Sequence, residues 1–318
     1  MTTGEPVRLV EVAARDGLQN ESEVLPVAMR VELLERLADT GFRHLEAGAF
    51  VSPRWVPQMQ QTREVLGRLN RRPDITYSVL VPNSRGFESA RAAGVDEVAV
   101  FTAASEAFAH HNINCSIAES LARFEPIMPL AAQAGIRVRG YISCVLGCPY
   151  AGDVDPQEVA TIARQLFDMG CYEVSLGDTT GIGTPRRTCE LIEACARQLP
   201  VGALAGHFHD TWGMAVANVQ AALEAGVRVF DGSVSALGGC PYASGATGNV
   251  ATESLVRLLE SQGFDTGIDL ERLVDVAEWV DRTLSRRMPS PVARAIRANR
   301  GRGDHRGNQQ EKGYDNEK

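Results

Sequence analysis

The sequence predicts a (β/α)8 TIM barrel with additional C-terminal helices, and three observations lead there. Eight short apolar runs rich in β-branched residues recur along the chain, amphipathic helical patterns lie between them, and no nucleotide-loop motif follows the first run. Eight strands alternating with helices over about 265 residues match a closed parallel barrel better than an open doubly wound sheet. The open sheet is the alternative, but neither GxGxxG nor GxxxxGK[ST] stands where its ligand loop belongs.

The predicted strands occupy residues 7–12, 44–49, 75–81, 97–101, 138–143, 173–176, 204–209 and 227–234. Helical patterns fill residues 29–41, 116–135, 155–170 and 213–226, and each ends on a glycine suited to a helix C-cap: Gly41, Gly135, Gly170 and Gly226. Further helical residues run from 269 to about 297. The remaining stretch, RGRGDHRGNQQEKGYDNEK, is polar and Gly-rich, so residues 1–298 are expected to form one barrel domain with a helical extension and 299–318 a disordered tail.

With 44% hydrophobic and 23% charged residues, the chain has the composition of a globular protein with a large core. A formal charge of -8 argues against nucleic acid or an anionic membrane as partner, because those surfaces are held by clustered Lys and Arg. No run reaches the roughly 18 apolar residues of a membrane helix, and the first residues carry no basic or apolar leader, which predicts a cytoplasmic protein. The seven cysteines are scattered and odd in number, as suits a reducing compartment. The only lysines are Lys312 and Lys318, so the barrel offers no amine for Schiff-base chemistry.

A barrel gathers its chemistry at the C-terminal ends of its strands, and the polar residues predicted there are few. Arg15 and Asp16 follow the first strand, Glu46 lies on the second, Asp178 ends the sixth, His207 and His209 end the seventh, and Cys240 and Asn249 follow the eighth. Residues two apart on a strand share a face, so both imidazoles of His207-Phe208-His209 enter the lumen together. With the Asp16 carboxylate and the Asn249 amide oxygen they form a nitrogen and oxygen ligand set without thiolate, which suits Mg²⁺ or Mn²⁺. The competing reading makes the histidines hydrogen-bonded core groups and Arg15-Asp16 a surface ion pair. In the catalytic reading Arg15 holds a developing oxyanion, and Glu46 and Asp178 orient Arg15 or metal-bound water; the alternative for either carboxylate is to satisfy buried backbone donors. The loop LGGCPYASGATGN, residues 237–249, has the composition of a lid, but its GCPYA string recurs at residues 147–151. Spacing alone therefore leaves Cys148 and Cys240 equal as a proton-transfer group. His44, His110 and His111 read as structural or exposed.

The strings RDGLQNE, FVSPRWVPQM, FTAASEAFAHHNINCSI, RGYISCVLGCPYAGDVDP, EVSLGDTTGIGTP, GHFHDTWG and LGGCPYASGATGNVATESL resemble the 3-hydroxy-3-methylglutaryl-CoA lyases across roughly residues 7–270. RDGxQ and HxHD alone are shared with the wider DRE-TIM metallolyase superfamily, including isopropylmalate, homocitrate and citramalate synthases. The GGCPYA and FVSPRWVPQM strings point to the lyase branch. The resemblance implies metal coordination by Asp16, His207, His209 and Asn249, with Arg15, Glu46, Asp178 and Cys240 in the active site. It favours Cys240 over Cys148. It also implies cleavage of 3-hydroxy-3-methylglutaryl-CoA to acetyl-CoA and acetoacetate in leucine breakdown, with Asp16 or His207 as base, and Cys240 or a metal-linked histidine as acid.

Gly48-Ala49, Phe208 and Trp212 depart from the animal pattern, which leaves a related 3-hydroxy-3-substituted acyl-CoA as an alternative substrate. The nearest rival activity is a Claisen condensing synthase fed by acetyl-CoA. Only 69 residues follow the 237–249 motif, less than the regulatory domain many such synthases carry. A barrel that binds metal without turnover is the rival of a different class. The expected partner is an acyl-CoA, and the expected assembly a homodimer.

Overall fold

The computed structural model describes residues 4–239, 248–287 and 289–310, the last ten by their backbone. Eight parallel strands close into a barrel in sequence order: β1 Arg8–Glu11, β2 His44–Ala49, β3 Thr76–Leu80, β4 Glu97–Ala103, β5 Arg137–Ser143, β6 Glu173–Asp178, β7 Leu204–Phe208 and β8 Val229–Gly232. The last strand returns to the first with Arg8 opposite Val229 and Glu11 opposite Gly232. Between the strands run α1 Val27–Ala38, α2 Thr62–Arg68, α3 Ser84–Ala92, α4 Glu106–Ile113, α5 Ile117–Phe124, α6 Ile127–Ala134, α7 Pro156–Met169, α8 Pro185–Ala196 and α9 Ala215–Glu224. Three more helices follow, α10 Thr252–Ser261, α11 Leu270–Thr283 and α12 Pro291–Gln310. This is the (β/α)8 barrel with C-terminal helices that the sequence predicts.

Outward strand residues such as Leu45, Val79, Val98 and Val174 pack on helix residues such as Leu33, Leu34, Leu37 and Leu166 in one continuous apolar layer. The lumen is different. Arg139 on β5 bonds to Asp231 on β8, and Arg8 on β1 pairs with Glu173 on β6; β5 is not adjacent to β8 nor β1 to β6, so both contacts cross the barrel interior. Charge thus shares the interior with a small aliphatic cluster, Val10, Val12, Ala205 and Val229, in place of a wholly apolar filling.

The strands match the predicted runs to within a few residues, with β4 two residues longer and β8 shorter at both ends. The predicted helical stretch 116–135 is two helices, α5 and α6, because Pro126 has no N–H to continue the first. Gly41, Gly135, Gly170 and Gly226 all take positive φ, as their reading as helix stops requires. Helix α12 continues through residues 299–310, part of the stretch assigned to the tail; residues 311–318 lie outside the described residues. Among the described residues no helix is long and apolar enough to cross a membrane.

Candidate active site

Strand β1 passes into a widened turn, Ala13–Gly17, in which the Gly17 N–H reaches back five residues to the Val12 carbonyl at 3.1 Å. A side chain at position 17 would stand 2.9 Å from Ser233 Oγ and 3.1 Å from Leu237, so glycine is what lets the turn settle on the β8 loop. The turn brings Arg15 and Asp16 over the C-terminal mouth of the barrel. There the Arg15 Nε donates to Glu46 Oε2 at 2.7 Å, its Nη1 donates to Asp16 Oδ1, and its guanidinium lies 5.4 Å from the Tyr141 ring centre.

These contacts set the charges. Burial opposes the Arg15 cation, but Glu46 and Asp16 outweigh it and hold the guanidinium above its ordinary pKa. Burial raises Asp16, but Arg15 and the two histidines outweigh it and set the carboxyl at about 2. Burial also raises Glu46, against the pull of Arg15. Glu46 Oε1 is buried without a hydrogen bond.

His207 ends within β7, and His209 follows it in a bridge to Asn249. Their Nε2 atoms are 3.2 Å apart, and Asp16 Oδ2 stands 3.9 Å from that of His207. One donor atom from each of Asp16, His207 and His209 lies within 4.8 Å of the other two, and among the described residues no other three His, Cys, Asp or Glu side chains converge in this way. Two imidazole nitrogens facing one another beside an ionised carboxylate fit a divalent cation, since each can turn a lone pair to one point. Asn249 is buried beside them, its Nδ2 donating to Asp16 Oδ2 at 2.8 Å and to the Leu237 carbonyl at 3.2 Å.

The histidines differ. Burial lowers the His207 pKa, but the Asp231 carboxylate, 3.1 Å from its Nδ1, outweighs burial and raises it. His209 is lowered to about 4 by burial and by His207, against a weaker upward pull from Asp16 and the Thr179 backbone.

A cavity of about 770 Å³ opens above this cluster, with Arg15, Asp16, His207 and His209 in its lining and Leu80, Phe101 and Phe124 among its apolar walls. Trp55, 82% exposed, borders it. The structure therefore brings together Arg15, Asp16, Glu46, His207, His209 and Asn249. Asp178 stands apart: Gly177 lines the cavity, and strand alternation turns the next side chain away, where Asp178 Oδ2 accepts the Gly183 N–H at 2.9 Å. Burial raises its carboxyl to about 6. Asp178 thus braces the loop after β6 by accepting from its backbone N–H groups. Cys240 lies outside the described residues. Cys148, its twin in the repeated string, accepts from Ser105 Oγ at 3.0 Å and is absent from the cavity lining.

Residues 6–280 match the HMGL-like family. The chain belongs to that family. It is similar to the hydroxymethylglutaryl-CoA lyase of Pseudomonas mevalonii, with 58% identity over 92% of this chain and 98% of the relative. It is 54% identical to the 3-hydroxy-3-isohexenylglutaryl-CoA/hydroxy-methylglutaryl-CoA lyase of Pseudomonas aeruginosa, over 94% of this chain and 99% of that one. A crystal structure of a hydroxymethylglutaryl-CoA lyase from P. aeruginosa superposes with a TM-score of 0.91 at 54% identity, covering 94% of this chain and all of that one, 100%.

Several lumen residues of this HMGL-like chain escaped the sequence reading, among them Arg139, Tyr141 and Asp231. Tyr141 lines the cavity and packs edge-on against His207, their ring centres 6.1 Å apart. The signal was present in RVRGYIS, where Arg137, Arg139 and Tyr141 alternate along one face of a predicted buried strand, and in the lone Asp231 of the last strand.

Proposed function

We propose that this chain is a carbon–carbon lyase that cleaves 3-hydroxy-3-methylglutaryl-CoA to acetyl-CoA and acetoacetate. The carrying observation is the Asp16, His207 and His209 cluster with Arg15 beside it under an apolar-walled cavity. Identity of more than half to the hydroxymethylglutaryl-CoA lyases supports the choice of substrate.

A Mg²⁺ or Mn²⁺ ion held by Asp16, His207, His209 and Asn249 would acidify the tertiary hydroxyl of the substrate. The hydroxyl proton passes to Asp16, because His207 has no lone pair to spare once its Nε2 holds the ion and its Nδ1–H faces Asp231. Arg15, fixed by Glu46 and charged throughout, supports the thioester enolate oxygen as the carbon–carbon bond breaks. Enclosure by Leu80, Phe101 and Phe124 keeps water from the carbanion equivalent until an acid, Cys240 in this proposal, protonates it. The acyl-CoA thioester enters from the mouth near Trp55. We place the enzyme in the cytoplasm as a homodimer serving leucine breakdown.

The test is a coupled assay of acetoacetate release from 3-hydroxy-3-methylglutaryl-CoA with Mg²⁺ or Mn²⁺. Turnover that chelation abolishes and His207→Ala lowers at least about a hundredfold is the expected result. Metal-loaded protein that leaves the thioester intact overturns the proposal.

A further inference from the structure

Beneath the His207 and His209 pair the lumen holds a column of charge that substrate binding does not use. Its members come from four strands: Arg8 on β1, Arg139 on β5, Glu173 on β6 and Asp231 on β8. Glu173 takes the Arg139 Nε at 2.7 Å and pairs with Arg8. Arg139 grips Asp231 with both terminal nitrogens, at 2.8 and 3.2 Å. Ser175 Oγ donates to Asp231 Oδ2 at 2.8 Å, and the same oxygen stands 3.1 Å from His207 Nδ1. Arg139 and Asp231 are each 2% exposed. Such ions are costly to bury, and satisfying them this fully calls for a reason beyond filling space, since apolar side chains of similar size would fill a barrel at less cost.

The two cations balance the two anions, so the column lends the ligand cluster no net charge. What it fixes is geometry. A neutral imidazole carries one N–H and one lone pair, and the nitrogen that faces a carboxylate keeps the proton. With Asp231 Oδ2 locked at Nδ1, the lone pair of His207 falls on Nε2, the atom that faces Asp16 and His209. The opposite tautomer would set a lone pair against the carboxylate and an N–H against an incoming cation. His209 has no such carboxylate behind it, only the backbone of Thr179.

We propose that Asp231, clamped by Arg139, is a positioning residue that holds His207 in the tautomer and orientation a divalent cation requires. His207 is then the preset ligand and His209 the one that adjusts. The inference rests on the divalent-cation reading given above, and the experiment separates the two.

Calorimetric titration of the full-length protein with Mn²⁺, without substrate, is the measurement. Wild type binding Mn²⁺ and His207→Ala failing to bind it supports the cation reading alone; wild type that binds none overturns both. Asp231→Asn keeps the size of the side chain and is expected to weaken Mn²⁺ binding roughly 10- to 100-fold, while kcat at saturating Mn²⁺ falls less. Arg139→Lys keeps the charge, loses the two-toothed grip, and should weaken binding several-fold. Ser175→Ala, which leaves both the clamp and the histidine contact in place, should stay within about threefold of wild type. A purely structural role would lower thermal stability in these variants without a selective loss of metal affinity. Folded Asp231→Asn that binds Mn²⁺ within about threefold of wild type overturns the proposal; if that variant does not fold, the same result for Arg139→Lys does so.

Discussion

Arg15 joins the metal-ligand cluster to the rest of the site, because one guanidinium touches Glu46, Asp16 and the face of Tyr141 at once. A lysine carries the same charge but is a single point on a flexible stem, and it cannot meet Glu46 and Asp16 in the same fork. Arg15→Lys should therefore fold normally and lower kcat by about 10²–10³, the range seen when one fixed oxyanion donor is lost, with a much smaller change in KM. Steady-state kinetics at saturating metal check this; a raised KM with kcat unchanged would instead make Arg15 a ground-state binding residue. Most of this cluster was legible as letters. His207 and His209 announced themselves by their spacing on a strand, and Asp16 by following a strand end. Asp178 is harder to read: a carboxylate at a strand end looks alike whether it faces the lumen or the loop beside it, and only the alternation set by the inward Glu173 and Ser175 tells the two apart.

The element that sets the site is the turn Ala13–Gly17, which carries Arg15 and Asp16 and rests on the loop after β8. Its dependence on glycine is steric, not conformational. Gly17→Ala places a methyl 2.9 Å from Ser233 Oγ and 3.1 Å from the Leu237 side chain and carbonyl, and Leu237 also accepts from Asn249. Relief of that overlap moves both halves of the ligand set apart, so the variant should lose about 1–3 kcal/mol of stability and bind Mn²⁺ at least about tenfold more weakly. Thermal melting and metal titration read the two effects separately; a variant with wild-type melting and affinity would mean that the turn accommodates a Cβ by simple flexing. Sequence reasoning placed the strand before this turn but not the turn's widened form, because the reach of the Gly17 N–H to the Val12 carbonyl depends on Ser233 and Leu237, more than 200 residues away. The helix stops at Gly41, Gly135, Gly170 and Gly226 were legible for the opposite reason, since a C-cap is decided by the glycine itself.

Across the whole molecule, closure of the barrel was readable from eight repeats, whereas the charged lumen was not: Arg139 meets Asp231 92 positions away only once β5 and β8 face each other across the interior. A second buried polar group ties β1 and the start of α10 to α11, outside the lumen. Glu11 accepts from the Ala13 and Val234 N–H groups at 2.9 and 3.0 Å and from Thr252 Oγ1 at 2.7 Å; Glu253 accepts from the Ser235 N–H at 2.9 Å, and Ser235 Oγ donates to Asp281. Burial raises Glu11 to about 8 and Glu253 to about 7, both from 4.5. Folding therefore favours the protonated forms, and the stability they add is complete below pH 4.5 and lost as pH rises through 7 to 8. Asp16 has the opposite sign, since its carboxyl is lowered from 3.8 to about 2 and weakens the fold only in strong acid. The melting temperature should consequently fall between about pH 4.5 and pH 8. Glu253→Gln keeps an acceptor for Ser235 without an ionisable group, and a rise from 4.5 to about 7 corresponds to at most about 3 kcal/mol at alkaline pH. Its melting temperature should thus decline over that interval by several degrees less than that of wild type. Parallel declines in calorimetric scans would place the alkaline instability elsewhere, whereas a flattened curve would show that burying acids behind β1 and β8 ties this barrel's stability to neutral and mildly acidic pH.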